Sequence, residues 1–141
     1  MTMSNPFNEK VIAEFRANGG RVGGQFEDST LLLLTTRGAR SGLERTTPLV
    51  HLPDGDRLVV FASNGGAPTS PAWYHNLVKT PQAIVEVGPD KYDVRAEPVD
   101  EAEHEALWAR QIEREPAFAG FRSSERVVPV VALIRTGPAG A

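Results

Sequence analysis

Arg37, Arg40 and Arg45 cluster around the short stretch Gly38-Ala39-Arg40-Ser41-Gly42, between the apolar runs Leu31-Leu32-Leu33-Leu34 and Pro48-Leu49-Val50. Guanidinium groups present planar forks of donors that match phosphate or carboxylate, and main-chain N–H groups in a glycine-containing turn add fixed dipoles. The spacing therefore predicts an anion clamp at the tip of a β-hairpin, suited to a phosphorylated ligand. With Glu44 counted, residues 31–52 carry +2, so the other residues carry −5 of a total of −3. The positive charge is local in an acidic chain. The competing reading is a solvated hairpin tip with ordinary arginines, since turn tips are usually polar.

A second informative segment runs through residues 61–77, where an apolar strand ends in a Gly-rich loop and then enters a short helix. Ser70 can cap that helix and Pro71 can start it, which puts Trp73, Tyr74 and Asn76 near a helix N-terminus, where free N–H groups favour an anion or an electron-rich ring edge. Trp73 offers a flat face for stacking. Trp73 and Leu77 are also spaced four apart, as the core face of a helix would be. A cationic turn together with an aromatic platform suits a long ligand with an acidic tail and a planar head.

Other chemistries lack their signatures. The chain has no cysteine, so thiol nucleophiles, thiolate metal sites and disulfides are excluded, in keeping with a reducing cytoplasm. Ser41 is misplaced for a nucleophile elbow, and neither G-x-x-x-x-G-K nor G-x-G-x-x-G stands between a strand and a helix. His51, His75 and His104 are far apart, without zinc-protease spacing, so no metal is expected. An acidic chain with few aromatics does not present a nucleic-acid surface. No apolar run approaches the roughly 18 to 20 residues that span a bilayer, and residues 1–5 are polar, without a secretory apolar segment. A cytoplasmic protein is expected, with peripheral membrane contact by the first helix left open.

A length of 141 residues with 40% hydrophobic content predicts one domain with one core, ending in a loose tail at 136–141. A first helix is expected from Pro6, with Phe7, Val11, Ile12 and Phe15 on one stripe and Asn18-Gly19-Gly20 as its stop. Its stripe is expected to cover a sheet. Strands are expected at 30–36, 46–52, 57–62, 82–87, 92–97 and 127–134, with turns at Pro53-Asp54-Gly55-Asp56 and Gly88-Pro89-Asp90. Asp100 with Glu103 marks a capped helix carrying Leu107, Trp108 and Ile112, ended by Pro116. Short antiparallel strands with covering helices predict a small α+β barrel, because closing the sheet removes exposed edges.

Four motifs occur in fixed order: T-T-x-G-x-x-S-G-x-x-R-x-x-P-L from Thr35 to Leu49, Ala62-Ser63 with Gly65-Gly66-Ala67, P-x-W-Y-x-N-L from Pro71 to Leu77, and Arg126 before Pro129-Val130-Val131. Over residues 8–133 they resemble the deazaflavin-dependent nitroreductase family, the coenzyme F-420-dependent quinone reductases of the flavin split-barrel superfamily. The resemblance implies an α+β split β-barrel, mostly antiparallel, with reduced coenzyme F-420 (8-hydroxy-5-deazaflavin) as hydride donor to a small quinone-like acceptor. It places the phosphate side of the cofactor on Ala39, Arg40, Ser41, Arg45, Thr46, Thr47, Pro48, Leu49 and Val50. The deazaflavin side falls on Phe61, Ala62, Ser63, Asn64, Ala72, Trp73, Tyr74, His75 and Asn76. Ser63 is the candidate hydrogen-bond donor in catalysis. The family's usual clamp lysine is Arg40 here, which keeps the charge. A nitroimidazole-activating member has a tyrosine cluster before its last strand, where Glu115, Phe118 and Phe121 stand in this chain. Phenylalanine cannot donate a phenolic hydrogen bond, so Phe118 and Phe121 are expected to form an apolar substrate wall suited to quinones. The alternatives are an FMN-dependent split-barrel oxidoreductase and a non-catalytic carrier of a phosphorylated or lipidic ligand.

Overall fold

The apolar run at Leu31 to Leu34 is continuous rather than alternating, and the fold explains why. In a strand, successive side chains point to opposite faces, so a run of four leucines requires burial on both. The computed structural model describes residues 6–26, 30–64, 67, 69–122 and 127–138. Leu32 and Leu34 enter an inner core with Val60, Ala62, Val85, Val94, Val131 and Leu133, while Leu31 and Leu33 enter an outer core with Val11, Phe15 and Val22.

Among the described residues, seven strands, β1 (Leu31–Arg37), β2 (Glu44–Val50), β3 (Leu52–Asp54), β4 (Arg57–Phe61), β5 (Gln82–Val87), β6 (Asp90–Pro98) and β7 (Val130–Pro138), form one sheet. Its order is β2-β1-β5-β6-β7-β4-β3, with antiparallel pairing throughout. Among the described residues, three α-helices accompany it: α1 (Pro6–Ala17), α2 (Ala72–Lys79) and α3 (Glu101–Arg114). α1 closes the outer core over β1 with Val11 and Phe15, so its apolar stripe covers the sheet as expected. α2 sends Trp73 and Leu77 into the inner core. α3 and the 3-10 helix Pro116–Phe121 cover the other outer face, where Leu107, Trp108 and Phe118 pack on Leu52, Val59, Phe61 and Val130.

The sheet departs from the expected closed barrel. The segment expected as one strand at 46–52 is broken at His51, and its two parts lie at opposite edges of the sheet. One residue joins the edges, so the sheet must curl until they meet, but hydrogen-bonded pairing leaves β2 and β3 as edges and the barrel stays split. Pro48 sits on edge strand β2, where its missing N–H costs no ladder hydrogen bond. The loose tail expected at 136–141 is also corrected, because β7 runs to Pro138 and pairs there with Tyr92 of β6; residues 139–141 lie outside the described ones. Asp100 caps α3 by accepting from the Glu103 N–H at 2.8 Å, as expected. Ser70 does not take the corresponding place on α2, where Pro71 is the N-cap and makes no side-chain cap bond.

His51 at the seam is buried, and its Nδ1 has no hydrogen-bond partner. Burial pushes the imidazole down to about 4, the positive charge of Arg114 adds to the shift, and a backbone hydrogen bond at Thr30 opposes it. The unfolded chain takes up a proton near the ordinary value of 6.5, whereas the folded chain holds His51 neutral until about 4. Stability contributed by His51 is therefore complete above pH 6.5 and lost as the pH falls through that window, by about 3 kcal/mol at most. We expect urea unfolding between pH 7 and 4 to show this decline and His51→Leu to flatten it. An unchanged slope in the variant would assign the acid sensitivity to other groups.

Candidate active site

A cavity of about 1120 Å³ opens between α1, the β1–β2 hairpin and the start of α2. α1 contributes Asn8, Glu9, Ile12, Ala13 and Arg16; the hairpin contributes Gly38, Ala39, Arg40 and Ser41 with Glu44, Arg45, Thr46 and Thr47; α2 contributes Ala72, His75 and Asn76. Four consecutive residues of β2 reach the cavity because β2 is an edge strand, so no neighbouring strand lies against its outer side.

The hairpin tip is held from within. Gly38 N–H donates to the Leu43 carbonyl at 2.8 Å, Gly42 N–H to the Gly38 carbonyl at 2.9 Å, and Leu43 N–H to Ser41 Oγ at 3.1 Å. A Cβ on Gly38 would lie 2.6 Å from Ser41 Oγ, and Gly42 has φ +72°, so both glycines are required by the turn. Arg37 Nη1 donates to the Gly42 carbonyl at 3.1 Å. The third arginine of the expected clamp is thus a staple of the turn and does not line the cavity.

The other two arginines are free for a ligand. Arg45 Nη2 is buried without a hydrogen-bond partner, and Arg40 makes no hydrogen bond or ion pair among the described residues. Arg16 also lines the cavity, but Glu86 on β5 engages it through two bonds of 3.0 and 2.7 Å. That pair holds the Glu86 carboxyl below its ordinary range, chiefly through the hydrogen bonds from Arg16. It ties the last turn of α1 to the sheet and keeps the helix in place as a wall.

Of the residues singled out by sequence, the structure brings Ala39, Arg40, Ser41, Arg45, Thr46, Thr47, Ala72, His75 and Asn76 to this cavity. Pro48, Leu49, Val50, Phe61, Ala62, Ser63, Asn64, Trp73 and Tyr74 lie outside its lining. Trp73 is in the inner core at 5% exposure, so the indole packs as the core face of α2 and offers no open face for stacking. Phe61 turns to the outer core, 4.8 Å between ring centroids from Trp108. Ser63 is buried just beyond β4, and Asn64, at φ 51°, closes the following loop through Nδ2 to the Thr69 carbonyl. Gly65, Gly66 and Arg126 lie outside the described residues. Phe118 and Phe121 share a face, with ring centroids 5.0 Å apart. That face packs on the outer core with Phe61 and Trp108, so the expected substrate wall is a structural contact away from the cavity lining. Sequence reading missed the cavity-facing side of α1, because its apolar stripe identified the adjacent, sheet-facing side, which shares only Ile12 with the lining.

An antiparallel split sheet with a cation-bearing hairpin beside a short helix defines the class, a split-barrel ligand-binding domain. The model of the F420H(2)-dependent quinone reductase family matches residues 8–135. An F420H(2)-dependent quinone reductase of Mycobacterium tuberculosis is 38% identical over 128 residues, covering 87% of this chain and 86% of that protein. The solved structure of an F420-H2 dependent reductase, FDR-A, superposes with a TM-score of 0.66 at 31% identity, covering 74% of this chain and 93% of that one. A solved domain-swapped dimer superposes with a TM-score of 0.69 at 29% identity, covering 89% and 94%. The chain belongs to the F420H(2)-dependent quinone reductase family. It is accordingly an oxidoreductase whose cofactor is coenzyme F-420 and whose acceptor is a quinone.

The placement of Trp73 yields a direct test. Trp73→Ala should lower the unfolding free energy of the ligand-free protein by about 3 to 5 kcal/mol, as for other buried aromatic truncations. Chemical denaturation measures this, and a loss of cofactor binding at full stability would return the indole to the ligand.

Proposed function

We propose that the cavity seats reduced F-420 with its anionic, phosphate-bearing portion on the hairpin turn and its deazaflavin toward the N-terminal turn of α2. The observation that carries this reading is the buried, unpartnered Arg45 Nη2, beside an equally unengaged Arg40. A buried cationic donor without an acceptor is costly, and an anion placed against it removes that cost. The main-chain N–H groups of Arg40 and Ser41 make no hydrogen bond among the described residues, which adds donors of the same sense. The cavity as a whole is not strongly basic, since Glu9 and Glu44 also line it, so attraction for an anion is confined to the turn.

When bound, reduced F-420 supplies a hydride, because it has carbon where a flavin has N5 and transfers electrons as a pair. The protein's part is binding, orientation and exclusion of water. Arg40 and Arg45 fix the anionic end by charge-assisted hydrogen bonds. Ala72, with its small side chain, leaves room at the start of α2 beside His75. The inner core behind Trp73 closes the base of this helix to water. Ser63, in the loop after β4 and outside the cavity lining, is proposed on the resemblance alone as hydrogen-bond donor to cofactor or substrate, with solvent as the ultimate proton source.

No described helix is long and apolar enough to cross a membrane. Contact with a membrane surface would rest on Phe7, half exposed at the start of α1, since Val11 and Phe15 are already packed on the sheet. A carrier of the same ligand would share the clamp but not turn over. Mixing the protein with reduced F-420 and menadione and following the cofactor's absorbance separates the two. Reoxidation above the protein-free control is expected, with F-420 preferred over FMN and NADPH, and binding without turnover would identify a carrier.

Arg40→Ala and Arg45→Ala should each raise the F-420 dissociation constant about tenfold to a hundredfold, the equivalent of a lost charge-assisted hydrogen bond. The melting temperature of the ligand-free protein should change little. A collapse of that melting temperature would make the arginines structural.

A further inference from the structure

α2 grips the clamp at a single residue. Asn76, 6% exposed, accepts the Ala39 N–H at Oδ1 (2.9 Å) and donates from Nδ2 to Thr36 Oγ1 (3.0 Å). One helical turn further on, Lys79 Nζ donates to the Ala39 carbonyl at 2.6 Å. Both polar groups of Ala39 are therefore held by α2, and the peptide planes on either side of it are fixed. Arg40 follows directly, with Gly38 on the other side contributing no stiffness of its own. Thr36 is 2% exposed on β1 and does not line the cavity.

We propose that Thr36, Asn76 and Lys79 are positioning residues that preset the anion-binding turn, and that Thr36 acts by anchoring the Asn76 amide. An amide can turn either end to Ala39, but only the oxygen can accept its N–H. The Ala39 N–H, a donor only, thus sets the orientation, and the Thr36 hydroxyl, by accepting from Nδ2, anchors the amide in it. Lys79 then holds the carbonyl on the other side of Ala39. The same helix supplies Ala72 and His75 to the cavity, so the bracket also sets the spacing between the two ends of a long ligand. Preorganisation of this kind lowers the ordering cost of binding rather than adding a contact to the ligand.

This inference rests on the proposed seat of F-420, and the test separates the two. F-420 affinity is measured by titration, and turnover with menadione, for wild type, Thr36→Val, Thr36→Ser, Lys79→Met, Lys79→Arg and Arg45→Ala, well below each melting temperature. Thr36→Val and Lys79→Met should each raise the F-420 dissociation constant about tenfold, with kcat at saturating F-420 close to wild type. Thr36→Ser and Lys79→Arg, which keep the hydroxyl and the cationic donor, should restore most of the affinity. If Arg45→Ala loses binding while Thr36→Val and Lys79→Met bind as wild type, the seat stands and the positioning role is overturned. Equal weakening in Thr36→Val and Thr36→Ser would overturn the anchoring hydrogen bond. If Arg45→Ala binds as wild type, the seat itself fails and the positioning role falls with it.

Discussion

The fold depends on one covalent constraint: His51 alone joins the two edges of the seven-stranded sheet. A single residue spans at most about 3.5 Å of extended chain, so β2 and β3 cannot lie far apart, and the sheet has to roll. Rolling creates an inside, filled by alternate residues of β1, β4, β5, β6 and β7 and by one face of α2. It also leaves two apolar outer faces, which α1 and α3 cover. The cavity follows from the same geometry, because it forms where α1, α2 and the end of the split sheet meet.

Charge is distributed within this frame by pairing rather than by count. Arg16 is engaged by Glu86, Arg37 by a turn carbonyl, and Arg57 and Arg110 by Asp54. What remains at the hairpin is Arg40 and Arg45, unengaged, in a chain of net negative charge. An acidic exterior with a local cationic turn favours a small anionic group over an extended polyanion.

The cationic turn was legible because its signal is local. Glycines at both ends of a short turn and arginines at fixed offsets express themselves within one hairpin, whose register pairs Thr36 with Arg45 and Thr35 with Thr46. The aromatic segment reads two ways in the sequence for a definite reason. Trp73 and Leu77 have the spacing of a core face, and the same residues near a helix start have the spacing of a ligand platform. Only the position of α2 at the end of the barrel distinguishes them. Phe61, Phe118 and Phe121 show the same ambiguity, since a phenylalanine near a site and one packing beneath it have the same composition.

By itself, the sequence determined the hairpins, the capped start of α3, the family and the cationic turn. Each depends on neighbours within a few residues or on motifs in fixed order. Tertiary structure decided that residues 46–52 are divided between opposite edges of the sheet, that α1 is a wall of the cavity as well as a cover, and which arginines remain unengaged. It also decided that Asn76 and Lys79 meet Ala39 across some forty residues of chain. The physical reason is that hydrogen bonds and ion pairs are satisfied by whichever groups folding brings within reach, and residue type does not specify that partner.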